Sequence, residues 1–193
     1  YAIKNGATVD AEGSIAVHSG ELYALTGSDT YKQMFEATLD RWDTDKTHNI
    51  PIFYTLPYSY EGANTQMLPD FVTGYMHAPT VDVSAWYYNS CISRMTSLAN
   101  ETLTAINTFH AHRNARPLGQ GPGWAKGTAV GQYLFSIYGL LSLDVLTAAT
   151  RQQYINAVSV SADYVLGCNP AGLVWMTGLG SRCAHDPLHN DFM

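Results

Sequence analysis

Residues 162–191 read ADYVLGCNPAGLVWMTGLGSRCAHDPLHND, and the break inside this stretch sets the architecture of the chain. Upstream of it, Tyr154, Val158, Ala162 and Val165 recur at helical spacing, so a helix beginning at Thr150 is expected to bury one face. It is expected to stop at Leu166. Gly167 can take the left-handed conformation that closes a helix, and Asn169-Pro170 cannot continue one, because proline lacks an N–H and its ring clashes with the preceding turn. Past the stop come Gly172, Gly178 and Gly180, the neighbours Trp175 and Met176, and then Arg182, His185, Asp186, His189 and Asp191 within ten residues. Glycines and polar side chains crowded onto a segment that cannot be helical predict a loop built for contact.

The helical period runs through most of the remaining chain. Val130, Leu134, Ile137, Tyr138 and Leu141 mark a strongly apolar helix that follows the glycine-rich run GQGPGWAKGTAVGQYLF. From Asp82 onward, Trp86, Cys91, Met95 and Leu98, then Leu103, Ile106 and Phe109, predict one long helix or two short ones broken near Asn100. Near the start, Ala11 to Leu25 reads as a helix with Ile15, Leu22 and Leu25 inward, ending at Gly27. Ser28 then caps a second helix, Asp29 to about Asp43, whose buried face holds Tyr31, Met34, Phe35, Thr38, Leu39 and Trp42. A turn this short makes the two helices antiparallel neighbours. Between Asp45 and Thr80 the period is lost and Pro51, Pro57, Pro69 and Pro79 predict irregular chain. Tyr54, Tyr58, Tyr60 and Glu61 within it either form part of a cleft wall or pack an Ω-loop on itself.

Composition narrows the function classes. With 46% apolar and 13% charged residues, the 193-residue chain can bury a core as a single domain. A net charge of −6 argues against nucleic acid and anionic membrane, since both select basic patches. Neutral ligands fit better. Thirteen Tyr and four Trp either stack on sugar rings or fill the core. No apolar run reaches the roughly eighteen residues of a membrane span. The chain opens at Tyr1 without a signal peptide and is read as a processed product or an internal piece. Of the three cysteines, Cys168 and Cys183 flank the glycine-rich loop and either close it with a disulfide or stand, like Cys91, as isolated buried thiols. Asn100-Glu101-Thr102 is a glycosylation acceptor triplet. His110 and His112 fall at a helix end on different faces with no third ligand, so they are read as capping the helix dipole rather than holding metal. Phosphate loops, nucleophile elbows, HExxH and CxxC motifs are absent, and neither cofactor nor metal is expected.

The stretch YVLGCNPAGLVWMTGLGSRCAHDPLHND is similar to the signature of glycoside hydrolase family 9, the cellulase-type inverting glucanases on an (α/α)6 barrel. In that family a helix ending in YxLGxNP leads through a TGxG segment to a His-bearing loop that lines the sugar cleft. LYALTGSDTYKQM, Leu22 to Met34, resembles the family's LYxxTGDxxY hairpin, and Trp124 resembles the tryptophan of its WGSN segment, with Ala125-Lys126-Gly127 in place of Gly-Ser-Asn. Where the family reads Pro-His-His-Arg, this chain has Pro187-Leu188-His189-Asn190; a slip of one residue instead sets Asp191 on the Arg position. Asp10 and Glu12 sit near, but displaced from, the place where some members hold calcium, and are read as solvated acids. The family's paired aspartates have no counterpart, and its acid glutamate lies beyond the end of this chain.

What the resemblance implies is an all-α fold, antiparallel helical hairpins forming roughly half of an (α/α)6 barrel over residues 1–193. Its function is expected to be hydrolysis of a polysaccharide, β-linked glucan or a related glycan, by single displacement outside the cell. The substrate-binding candidates are His189, Trp124, Arg182, Asp186 and Asp191. Asp186 and Asp191 share one loop and supply only one side of a cleft, whereas inverting hydrolysis needs carboxyl groups about 6.5–9.5 Å apart across the sugar. They are read as orienting His189 or capping local turns, and no residue of the chain is assigned a catalytic role. Expected partners are an oligo- or polysaccharide and the remaining part of the catalytic domain, another chain or further copies of this one. The alternative is a non-catalytic structural or self-assembling module built on the same scaffold.

Overall fold

A computed structural model describes residues 9–42, 72–108 and 134–183, and these are helical with no β-strand among them. In chain order the helices are α1 (Val9–Thr26), α2 (Asp29–Trp42), α3 (residues 72–77), α4 (Trp86–Thr108), α5 (Phe135–Ser142) and α6 (Ala148–Val165). Two compact units divide the chain: Tyr1–Ala99 with Phe135–Val145, and Asn100–Leu134 with Leu146–Met193. The 23-residue α4 runs unbroken through Asn100 and contributes to both. Helix α3 occupies the end of the stretch expected to be irregular, stopping just before Pro79; residues 45–71 of that stretch lie outside the described residues.

In the first unit, α1 and α2 pack together across the turn Gly27–Ser28. Gly27 has φ +67°, a conformation that strains any side chain, and its N–H closes on the Tyr23 carbonyl at 2.8 Å. The Ser28 carbonyl then accepts the first bonds of α2, from the N–H groups of Tyr31 and Lys32. Helix α2 buries Phe35, Thr38 and Leu39 as expected, while Met34 stays exposed at the edge of the stripe. Helix α1 does not bury its expected face. Ser19, Gly20 and Tyr23 turn inward, Leu22 is exposed, and Leu25 is 80% exposed. A close crossing with α3 explains the choice. A Cβ on Gly74 would lie 2.6 Å from the Glu21 nitrogen, and one on Gly20 would lie 3.0 Å from the Tyr75 nitrogen, so two glycines let the backbones meet. That contact carries Tyr75 into the core, where it stacks on Phe35 with centroids 4.2 Å apart and meets Tyr23 at 5.8 Å. The buried polar tips find partners: the Tyr75 hydroxyl donates to Glu36 at 2.9 Å, and the Thr80 hydroxyl donates to Tyr23 at 3.0 Å. Burial, reinforced by the Glu36 carboxylate, pushes the Tyr75 phenol far above its ordinary range, so it remains a donor. From α4 come Tyr88, Cys91, Met95, Leu98 and Ala99, and from α5 Ile137 and Leu140. Any side chain at Gly139 would collide with the Met95 methyl. Burial pushes the Cys91 thiol up to about 12, which makes it an inert core group.

The second unit rests on α6 and the end of α4. Thr147, extended at φ −64° and ψ 154°, caps α6 by accepting from the Thr150 N–H at 3.2 Å. Replacing Thr147 by Ala should cost about 1 kcal/mol, read as a lower urea midpoint at unchanged slope. The buried face of α6 is Tyr154, Ala157, Ser161 and Tyr164; of the positions expected inside, Tyr154 holds, Val158 and Val165 are half-buried, and Ala162 is exposed. The face is rotated by about one position because large Tyr154 and Tyr164 bracket small Ala157 and Ser161, a matter of shape to which a hydropathy count is blind. Helix α4 adds Thr102, Ala105 and Ile106, and the Tyr154 hydroxyl donates to Asn100 at 3.5 Å. The glycosylation triplet therefore sits inside a helix with Thr102 buried, rather than on a loop.

Candidate functional site

The site is built outward from the end of α6, where the last carbonyls of a helix need partners. Cys168 N–H donates to Asp163 O at 2.8 Å and Gly167 N–H to Tyr164 O at 3.4 Å, the paired closure that a positive-φ residue permits; Gly167 has φ +116°. Leu166 N–H takes Ala162 O, and Trp175 N–H returns from the loop to take Val165 O, both at 2.9 Å. Every carbonyl from 162 to 165 is thus satisfied, and the predicted stop at Leu166 is where the helix ends.

Asn169 then organises the loop. Its Nδ2 donates to Tyr164 O and Leu173 O, each at 2.7 Å, and its Oδ1 accepts from Ala171 N–H at 3.2 Å and Leu173 N–H at 3.3 Å. One side chain pins the helix end, the turn after Pro170 and the outgoing strand of the loop. The sequence reading used Asn169-Pro170 only as a stop and missed this role, although Asn ahead of Pro-x-Gly is a side-chain turn signal. Further on, Val174 N–H donates to Arg182 O at 2.8 Å beside an isolated bridge between Val174 and Cys183. Gly178 and Gly180, at φ +78° and +75°, shape the tip. Met176 and Leu179 are exposed there, whereas the Trp175 indole N–H is buried and has no hydrogen-bond partner.

Arg182 is the substrate-binding candidate that falls among the described residues. It is exposed, its Nη2 donates to Ala171 O at 3.2 Å, and its guanidinium lies over Gly172, where a Cβ would come within 3.2 Å of Nη1. Beyond that one bond the exposed guanidinium keeps further N–H donors. His185, Asp186, His189 and Asp191, together with Trp124, lie outside the described residues. So do Tyr54, Tyr58, Tyr60, Glu61, His110 and His112, and the side chains of Asp10 and Glu12. Cys168 and Cys183 are free thiols, the first exposed and the second buried, so backbone bonds and Asn169 close the loop instead of a disulfide.

Other chemistry is weaker. His77 Nε2 lies 2.9 Å from Ser142 Oγ, but the serine hydroxyl donates to Gly139 O at 2.6 Å, so the imidazole donates to the serine and does not act as its base. Among the described residues, no group of three or more His, Cys, Asp or Glu could hold a metal, and no helix is long and apolar enough to cross a membrane. Compared with known proteins, residues 6–192 match the model of a family described as Glycosyl hydrolase family 9. No curated protein and no solved structure matches the chain.

Proposed function

This chain belongs to glycosyl hydrolase family 9, and from that premise we propose that it serves polysaccharide breakdown, on β-linked glucan or a related glycan, by inverting hydrolysis. The observation that carries the reading is the loop after α6: glycine-shaped, braced by Asn169 and presenting the Arg182 guanidinium to solvent. In this reading the loop is one wall of a sugar cleft. Arg182 and His189 hydrogen-bond sugar hydroxyls, Trp124 stacks on a ring, and Asp186 and Asp191 orient His189 or bond hydroxyls themselves. The helices are antiparallel hairpins making up roughly half of an (α/α)6 barrel, one domain over residues 1–193. The other half comes from the remainder of a catalytic domain, another chain or a further copy, and the enzyme works outside the cell.

Inverting hydrolysis needs a carboxylate to activate water on one face of the sugar and a carboxylic acid to protonate the leaving oxygen on the other, about 6.5–9.5 Å apart. We assign both to residues outside these 193. The purified chain should accordingly release no reducing sugar from soluble β-glucan. Turnover by a species that light scattering shows to be monomeric would overturn that assignment. Within a complete catalytic domain, His189→Ala should weaken oligosaccharide binding by about 1–3 kcal/mol, the cost of losing a buried hydrogen-bond partner. Unchanged binding in a calorimetric titration would remove His189 from the site.

A further inference from the structure

The second unit carries a groove that the loop does not use. It encloses about 310 Å³ between α4 and α6 and is lined by Leu103, Ile106 and Asn107 from the first helix and by Gln153, Asn156, Ala157 and Val160 from the second. Each set falls at i, i+3, i+4 spacing, extended to i+7 on α6, so each helix contributes a single face. The floor is aliphatic: Ile106 and Ala157 are buried, and Leu103 and Val160 half-buried. The rim is amide: Asn107, Gln153 and Asn156 are all exposed. Gln152 Nε2 holds Asn156 Oδ1 at 2.9 Å, which leaves the Asn156 amide N–H groups and the whole carboxamides of Asn107 and Gln153 uncommitted.

The chemistry of this lining selects its occupant. Among the described residues the wall holds no ionisable group, so these side chains compensate neither an anion nor a cation on leaving water, and they favour a neutral ligand. Each carboxamide presents two donors and a two-lone-pair acceptor, a set that matches hydroxyls able to give and to take. The aliphatic floor matches a ligand that is apolar on one flat face. A pyranose combines both features, with C–H groups on its face and hydroxyls around its edge. The volume stands at the low end of the roughly 300–1,000 Å³ typical of small-molecule sites, enough for a short stretch of sugar and too little for a docked helix.

We infer that the groove between α4 and α6 binds a neutral oligosaccharide, its sugar ring lying on Leu103, Ile106, Ala157 and Val160 and its hydroxyls bonded by Asn107, Gln153 and Asn156. The choice of a glycan as the neutral ligand rests on the function proposed above. Side-chain amide signals in a ¹H–¹⁵N spectrum report on the three rim residues directly, so the probe is cellotetraose titrated into the ¹⁵N-labelled 193-residue chain. Saturable shifts of the Asn107, Gln153 and Asn156 amide signals are expected, and the double variant Gln153→Ala, Asn156→Ala should bind roughly ten-fold more weakly at the groove. Both substituted side chains are exposed, and an unchanged circular dichroism spectrum would show that the variant folds. If the Arg182 side-chain signal moves while the groove amides stay still, the groove is not a sugar site and the proposed function stands. If no signal moves, the groove inference falls, since the groove lies wholly within this chain, while the cleft reading is decided separately by the His189→Ala titration in the complete catalytic domain. Shifts that follow protein concentration rather than sugar would overturn the inference in favour of a second copy of the chain.

Discussion

Gly74→Ala should destabilise the chain by about 3 kcal/mol, the upper end of the usual cost of forcing extra volume into a packed interior. The added Cβ would meet three backbone atoms of α1 at once, Glu21 N at 2.6 Å, Gly20 C at 2.7 Å and Glu21 Cα at 2.9 Å. Backbone on the far side cannot swing away as a long side chain would, so α3 must lift off α1. That lift would unseat Tyr75 from its stack on Phe35 and pull its hydroxyl off Glu36. Against a total stability of roughly 5–15 kcal/mol the loss would be a large fraction, visible as a shifted denaturant midpoint. Gly178→Ala separates the two roles a glycine can have. Nothing lies within 4 Å of its Cβ position, so only the strain of φ +78° is felt, about 1–2 kcal/mol. Equal stabilities for Gly74→Ala and the parent would show that the α1–α3 crossing is looser than described.

The second large effect is expected at Asn169. Asn169→Ala removes four hydrogen bonds in a single step, two donated to Tyr164 O and Leu173 O and two accepted from Ala171 and Leu173 N–H. At about 1 kcal/mol net for each, the loop loses roughly 3–4 kcal/mol, more than a surface loop has in reserve. Residues 168–183 should then open while α6, closed by its own backbone bonds to Gly167 and Cys168, stays helical. Hydrogen exchange would show this as fast exchange at Leu173, Val174 and Trp175 with protection kept through Tyr164. Asn169→Asp keeps the acceptor but sets a carboxylate against two carbonyls, so it should fail to restore protection. If either variant retained the parent's protection at Leu173, the loop would be held by something other than Asn169. Sugar binding through Arg182 should fall along with loop protection, since the arginine is placed by a bond to Ala171 O inside the same loop.

Much of this molecule follows from local rules. The stop at Leu166, the turn at Gly27 and the span of α2 depend on glycine, proline and an apolar period, all of which act over a few residues and are written along the chain. The family is legible for the same reason, because YVLGCNP and TGLG are contiguous motifs. Asn100 did not break α4, since one residue of modest helix propensity costs far less than burying Tyr88, Cys91, Met95 and Ala105 along a continuous stripe returns.

The orientation of each helix about its own axis is a different kind of information. Hydropathy pointed α1 inward with Leu22 and Leu25, yet the helix turns Ser19, Gly20 and Tyr23 to the core, because the gain comes from how closely α1 and α3 can approach with a glycine on each, Gly20 and Gly74. The same holds for α6, where the small Ala157 and Ser161 outrank Val158 and Ala162. The Asn169 brace and the amide-rimmed groove between Leu103 and Val160 likewise join residues whose partners are set by folding rather than by spacing. Local pattern along the chain therefore carries the helical class, the family and the stops at Gly27 and Leu166, but not every helix start: the last helix begins at Ala148 rather than Thr150, and the long one at Trp86 rather than Asp82. Tertiary structure alone decided which faces are buried, what holds the loop and where the groove opens, because close packing depends on the shape of two surfaces meeting, and a single strand of letters records only one of them at a time.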